Sequence, residues 1–404
     1  MKKNSTASNG DSKLTKTVLR DLRQRAEKGR LSIGLDLGDR MTHYCVLDEK
    51  GELCIQGKLA TTKTGLNPLL EQLPETRVVL EVGTHSPWAS RHVSGMGHEV
   101  IVANPRRVSM ISGSKRKNDR LDAEKLARLG RVDPKLLAPI HHRDEDVQRD
   151  LMEIRMRHVL VESRTKLVNS ARGQMKSMGY RLRSCDCDQV GVELAAELPE
   201  EVRKPVEVLL ETVAHLTKQI KLAEERIHAV AQRYPEIELL TVIYGVGELT
   251  ALAYVLTVED KTRFSKSREV GPYLGMVPGQ AQSGEKDSQQ RITKEGDRMV
   301  RWLLVQCAHC ILKEGAPDSD LRRWGLAKLE EHQQQAQKSG KKGTKGTKGK
   351  GKKRVLVAVA RRLAVVMHVL WANGEEYDPL YGAKQQEAQA AKAAAKKAAK
   401  NRAA

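Results

Sequence analysis

Two aspartates three residues apart, Asp119 and Asp122, stand in "KRKNDRLDAEKLARL" (115–129), just behind a cluster of lysines and arginines. Three residues are nearly one helical turn, so on a helix both carboxylates point the same way. Asp36 closes the apolar run "IGLD" and Glu81 closes "VVLE". If both runs are strands of a parallel α/β sheet, their carboxyl ends and the adjoining helix start form one crevice, and all four acids can converge there. Oxygen-only side chains in one crevice suit Mg²⁺ or Mn²⁺ better than zinc. Two such ions about 4 Å apart would stabilise both the attacking and the leaving oxygen of phosphodiester cleavage. Taken singly, each acid has a plainer role: Asp36 could cap a turn, Glu81 could pair with an arginine, and Asp119 could be the N-cap of a helix beginning at Arg120.

The elements that must position these acids are legible around them. "LSIGLDLGDRMTHYCVLDEKGELCIQGKLAT" reads as three short strands in a meander, with turn signals at Gly38-Asp39 and Lys50-Gly51. "RVVLEVG" and "HEVIVANP" read as parallel buried strands separated by a helix, and a further helix runs from about Asp122. From about Asp144 the pattern turns helical. Between Arg149 and Arg183 lie nine basic residues and three acids. Arg157, Arg164, Arg172, Lys176 and Arg183 make this either a solvated face or a nucleic-acid-facing stripe. Val206, Leu209, Val213, Leu216, Ile220, Ala223, Ile227 and Val230 alternate steps of three and four. That seam predicts a coiled coil, within the chain or between subunits. Beyond Pro235, Gly245 and Gly247 sit between two apolar helices, either as a backbone approach to phosphate or as a tight interhelical turn. "KSGKKGTKGTKGKGKKR" reads as a low-complexity linker, followed by an apolar helix, Val355 to Trp371, and an Ala/Lys tail.

The net charge of +20 is unevenly placed: residues 1–30, 338–354 and 384–404 carry +6, +9 and +5, which is all of it. Flexible basic arms tether a polyanion, because neutralising phosphates releases condensed counterions. No apolar anchor accompanies the lysines, so nucleic acid is expected rather than a membrane surface. No secretory signal is read in residues 1–30, and no run approaches the ~18 apolar residues of a membrane span. A reducing cytoplasm with free thiols is therefore expected for the six cysteines. Cys185, Cys187, Cys307 and Cys310 could form a zinc site, but the second pair lies inside "VRWLLVQCAHCILKEG", which reads as one buried helix. Aromatic residues are only 3% of the chain, with Phe264 the single phenylalanine, so its cores must be aliphatic.

The acids in the order Asp36 in "GLDLG", Glu81 in "LEVGTHS", and Asp119 and Asp122 in "KNDRLDAEKLARL" resemble the Asp-Glu-Asp-Asp tetrad of the "IS one-ten" family of insertion-sequence transposases. A second block, "LLTVIYGVGELTALAYVL" with "YLGMVPGQAQSGEKDSQQRITKEGDRMVRWLL", resembles that family's C-terminal domain. The resemblance covers roughly residues 31–315. It implies an α/β ribonuclease H-like (RuvC-like) domain, then a helical coiled-coil segment and a mainly α-helical C-terminal transposase domain. The expected layout is a basic arm (1–30), the nuclease domain (31–143), basic helices and coiled coil (144–235), the transposase domain (236–330), a basic disordered linker (331–354), a helix (355–375) and a tail (376–404).

The resemblance further implies metal, Mg²⁺ or Mn²⁺, held by the tetrad, and a serine nucleophile that links covalently to DNA as in serine recombinases. The matching position is Ser283 in "AQSGEK", where the family commonly shows Ser-Ser-Gly and this chain has Gln282-Ser283-Gly284; Ser288 is the fallback. A serine hydroxyl is a poor nucleophile until something takes its proton or a metal activates it, and no histidine is near Ser283 in sequence. The implied partners are donor and target DNA, a structured noncoding guide (bridge) RNA encoded by the element, and further copies of the chain as dimer and tetramer. Lys286, Arg291 and Lys294, with the Arg157–Arg183 stripe and the Gly245–Gly247 turn, are the expected nucleic-acid contacts, in a bacterial cytoplasmic, nucleoid-associated protein. Two alternatives remain: a junction-type nuclease that uses the tetrad with water, and a non-catalytic nucleic-acid scaffold.

Overall fold

The unbroken apolar runs "YCVL", "VVL" and "VIVA" beside "SIGLDL" fit a sheet buried on both faces. The computed structural model describes residues 14–106, 118–280, 282–283, 286–287, 290–338, 345–387 and 389, with the backbone alone for 282–283, 286–287, 336–338 and 345–350. Two compact units, 1–145 and 146–404, make up the chain.

In the first unit five strands, β1 (Ser32–Leu37), β2 (Met41–Leu47), β3 (Leu53–Ala60), β4 (Arg77–Glu81) and β5 (Glu99–Ala103), lie in the order β3-β2-β1-β4-β5. β1, β2 and β3 pair antiparallel, whereas β1/β4 and β4/β5 pair parallel. One face, with Ile33, Leu35, Tyr44, Val46, Val78 and Leu80, is covered by α1 (Lys16–Lys28), α2 (Lys63–Leu70) and α3 (Ser86–Gly95) through Leu22, Leu66, Leu69, Ala89 and Val93. The opposite face, with Cys45, Leu47, Val79 and Ile101, is covered by α4 (Asp119–Val132) through Ala123, Leu126 and Ala127. This mixed sheet between helical layers is consistent with a RuvC-like fold.

Residues 1–30, expected as a basic arm, contain a docked helix in their described part. Leu14, Val18, Leu22 and Ala26 recur every four residues, and Leu22 is 1% exposed in the core. That stripe is the signal the charge count concealed.

The second unit is mostly helical. Its two long helices, α5 (Glu145–Ser177) and α6 (Glu200–Ala231), lie antiparallel: Arg157 pairs with Glu224, Glu153 with Arg226, and Arg164 with Thr217, so partners fall along α6 as numbers rise along α5. Val168, Ala171 and Met175 pack with Val206, Leu210 and Val213. The buried stripe of α6 includes Leu210, Thr217 and Ala231 where the heptad pattern places Leu209, Leu216 and Val230. The stripe still runs in steps of three and four from Val206 to Ile227, and the partner it packs on is α5 of the same chain.

The remaining core joins α7 (Glu236–Thr241), α8 (Glu248–Val258), α9 (Val270–Tyr273), α10 (Arg298–Ile311), α11 (Asp320–Lys338) and α12 (Lys345–Asn373). The Tyr254 hydroxyl donates to the Ala364 carbonyl at 2.7 Å, tying α8 to α12. By length and composition Gly351–Asn373 could cross a membrane, contrary to the expectation that no run comes close. Its Val359, Ala360, Leu363, Ala364 and Met367 are instead fully buried in this core. α12 also begins at Lys345, inside the stretch expected as a disordered linker.

Candidate active site

Antiparallel register sets Asp36 of β1 opposite His43 of β2. Parallel register pairs Leu35 with Leu80, so one residue further on Asp36 and Glu81 are neighbours at the carboxyl ends of β1 and β4. Side chains alternate along strands. Ile33 and Leu35 enter the core under α1–α3, which leaves Asp36, with His43 and Glu81, on the α4 face.

α4 brings the remaining acids to that face because it lies hard against the sheet. A Cβ on Gly34 would stand 1.9 Å from the Ala123 carbonyl oxygen, and one on Gly130 would stand 2.3 Å from Val79 Cγ2. Asn118 is the N-cap of α4, its side chain accepting from the Arg120 amide at 3.1 Å. The capping role considered for Asp119 therefore belongs to its neighbour, and the Asp119 carboxylate is turned to the sheet.

Asp36, His43 and Asp119 each present a donor atom within 4.8 Å of the others. Asp122, one turn along, accepts from Lys125 Nζ at 2.9 Å. Two carboxylates and an imidazole fit a divalent cation: the carboxylates suit Mg²⁺ or Mn²⁺, and the nitrogen is a good ligand for transition metals. His43 has no motif to mark it in the sequence, although the three-residue turn Gly38–Arg40 fixes the register that faces it to Asp36. The basic cluster Lys115-Arg116-Lys117 lies outside the described residues.

Ser283 lies in the second unit, in the short strand β6 (Gln282–Ser283), directly opposite Lys286 of β7 (Lys286–Asp287). The hairpin continues to a base where the Gly279 amide donates to the Arg291 carbonyl at 2.9 Å and the Thr293 amide to the Val277 carbonyl at 2.9 Å. One hairpin thus carries Ser283, Lys286, Arg291 and Lys294. Lys294 takes a left-handed φ of 58° while its amide donates to the Gly275 carbonyl. Ser288 lies outside the described residues.

The expected basic stripe divides. Arg164 is 8% exposed and held by Asp188 and the Thr217 hydroxyl between α5 and α6, so its charge serves the helix pair and does not face nucleic acid. Arg157 is engaged by Glu224, and Arg172 reaches the Cys185 carbonyl at 3.5 Å. Lys176 and Arg183 are exposed. Gly245 takes φ 87° and lies against α10, where a Cβ would meet Cys310 Cβ at 3.0 Å, while Gly247 precedes α8 as its N-cap. The two glycines thus form a tight turn between α7 and α8, with open space beside Gly247. All six cysteines are unpaired; Cys307 sits inside α10, where burial pushes its thiol up to about 11.

A second pair has the outward geometry of nucleophile and base: Ser86 Oγ lies 2.8 Å from His142 Nε2. Ser86 is 0% exposed and also bonds Gly83, so this contact secures the turn after β4.

Residues 33–179 match the profile of a DEDD-type transposase of the IS110 group, and residues 237–320 match that described as "Transposase IS116/IS110/IS902 family". The chain is 28% identical over 363 residues to the "Transposase for insertion sequence element IS1111A" of Coxiella burnetii, covering 88% of this chain and 93% of that protein. It is 28% identical over 308 residues to the "Transposase for insertion sequence element IS1328" of Yersinia enterocolitica, covering 74% and 90%. A "Probable family 20 transposase" of Pseudomonas aeruginosa is 25% identical over 301 residues, covering 72% and 87%.

Proposed function

Because the chain belongs to the IS116/IS110/IS902 family of transposases, enzymes acting on DNA, we propose that it recombines the ends of an insertion sequence through a covalent phosphoserine link at Ser283. The observation that carries this reading is the convergence of Asp36 and Asp119, on separate elements, at the carboxyl end of β1. Asp36, Glu81, Asp119 and Asp122 would hold the divalent metal that a DEDD site calls for. Such an ion, when bound, neutralises charge on the phosphate that is attacked.

In the proposed step the Ser283 oxygen forms a bond to the scissile phosphorus, and the bond from phosphorus to the departing strand's oxygen breaks. The serine proton leaves, and the departing strand gains one as a free hydroxyl. Attack by a second strand's hydroxyl reverses the exchange, so no high-energy cofactor is consumed. Lys286, opposite Ser283 in the hairpin, and Arg291 and Lys294 on its return limb would steady the phosphate backbone. For this chemistry the acids of the first unit and the hairpin of the second must act on one DNA, within a chain or across a dimer or tetramer. We include a structured element-encoded RNA as the partner that selects donor and target, with Lys176, Arg183 and the basic arms as its contacts. The reading places the protein in the bacterial cytoplasm at the nucleoid.

The test is a denaturing gel of full-length protein with element-end DNA, Mg²⁺ and RNA transcribed from the element's flank, beside Ser283→Ala and Asp119→Asn. Wild type is expected to give a slow protein–DNA band that both substitutions abolish, with RNA binding retained in Asp119→Asn. Cleaved DNA without a band, unchanged in Ser283→Ala, would replace the recombinase with a hydrolytic nuclease. Equal cleavage by Asp119→Asn would remove the acids from catalysis.

A further inference from the structure

We propose that His43 is a direct ligand of the metal centre, making it a mixed nitrogen–oxygen site that favours Mn²⁺-type transition ions over Mg²⁺; this rests on the reading of Asp36 and Asp119 as metal ligands. Three observations converge on it. The β1/β2 register puts His43 directly across from Asp36, on the face that α4 covers. The imidazole is held there, its side chain 17% exposed against 56% for Asp119, so its direction is set by packing and not by solvent. Its Nδ1 lies 3.9 Å from Asp119 Oδ2, which is beyond hydrogen-bond length.

That separation is what two donors to one ion require. Around an octahedral ion with ligands at about 2.1 Å, donors stand about 3 Å apart when adjacent and about 4 Å apart when opposite. The donor atoms of Asp36, His43 and Asp119 lie within 4.8 Å of one another, somewhat wider than those values. A His–Asp pair serving only to orient the ring would be in contact; this one leaves room for an atom between its members.

The ligand type has a consequence of its own. Carboxylates and water alone discriminate weakly among Mg²⁺, Ca²⁺ and Mn²⁺, whereas an imidazole nitrogen adds affinity for transition metals in particular. Mg²⁺ also dehydrates reluctantly and keeps several waters. Removing the nitrogen should therefore weaken Mn²⁺ binding far more than Mg²⁺ binding.

Full-length protein, without nucleic acid, is titrated with Mn²⁺ alone and followed by the EPR signal of the free ion. Mg²⁺ is measured by competition, and pulsed EPR is recorded on protein with and without nitrogen-15 histidine. Wild type is expected to show a nitrogen coupling to Mn²⁺ that changes with the isotope. His43→Gln should lose that coupling and bind Mn²⁺ weaker by about tenfold or more, with a smaller change for Mg²⁺. Bound Mn²⁺ with no nitrogen coupling in wild type, or a coupling that survives in His43→Gln, overturns the proposal, and the wild-type spectrum decides even if the variant misfolds. Asp36→Asn separates the two readings. If it leaves Mn²⁺ binding intact, the acidic metal centre itself fails; if it abolishes binding while wild type lacks the coupling, only the role of His43 fails.

Discussion

At the scale of single residues, what matters is which groups the backbone forces to meet. The places of Asp36 and Glu81 near strand ends and of Asp119 and Asp122 in a first helical turn are legible in sequence from apolar runs and spacing. His43 is not, because its position depends on a register that only a paired strand reveals. Arg164 shows the opposite failure: a basic residue at helical spacing looks solvent-facing until Asp188 and Thr217 enclose it. Another histidine supplies a test of folding. His98 is 6% exposed, its Nδ1 accepting from the Thr76 amide at 3.2 Å and its Nε2 donating to the Leu70 carbonyl at 3.2 Å. Burial holds its pKa below the ordinary value, so the neutral ring is the folded form. Because the unfolded chain takes up the proton first, this contribution is present above about pH 6.5 and is lost as the pH falls through it. Thermal melts at pH 7.5 and 5.5 should show a larger loss for wild type than for His98→Gln. Equal losses would clear His98 of the effect, leaving His142 and His368, whose pKa values burial also lowers.

At the scale of elements, the three-strand meander, the two parallel strands and α4 follow from alternation and turn residues. α1 is hidden because its four-residue apolar recurrence is embedded in lysines and arginines. The buried stripe of α6 departs from the heptad by one residue at three positions, where Leu210, Thr217 and Ala231 face inward in place of Leu209, Leu216 and Val230. The acids depend on α4 lying against β1 at Gly34, where a side chain has no room. Gly34→Ala should therefore cost about 1–3 kcal/mol by overpacking and also depress DNA cleavage, since it pushes α4 off β1 at Ala123 and so displaces the acids that precede it. Gly95→Ala, where a Cβ meets nothing within 4 Å, is the control and should shift the urea midpoint little. Comparable midpoints for the two variants would mean that the helix rides on the sheet less tightly than the close approach implies.

At the scale of the whole molecule, the net charge is concentrated along the sequence, although the first basic stretch includes α1 and the second the start of α12. Three short stretches carry all of the +20, and nine of the basic residues lie in 338–354 alone. Replacing Lys341, Lys342, Lys345, Lys348, Lys350, Lys352 and Lys353 by Gln should weaken nucleic-acid binding and flatten the plot of log affinity against log salt by about 0.9 for each duplex phosphate no longer neutralised. An unchanged slope in a salt titration would make the stretch a spacer. Composition could announce this charge, but not that α12 begins within it, since that depends on the buried segment that follows. The antiparallel pair α5/α6 has a mechanical side as well. Helices of 33 and 32 residues at 1.5 Å per residue make a bar of about 48 Å. Adding or removing two turns from both would change its reach by about 10 Å, close to three base-pair steps of duplex DNA. The bar is thus a ruler graduated in helical turns, and its length is a quantity that insertion or deletion can vary while the seam stays in phase.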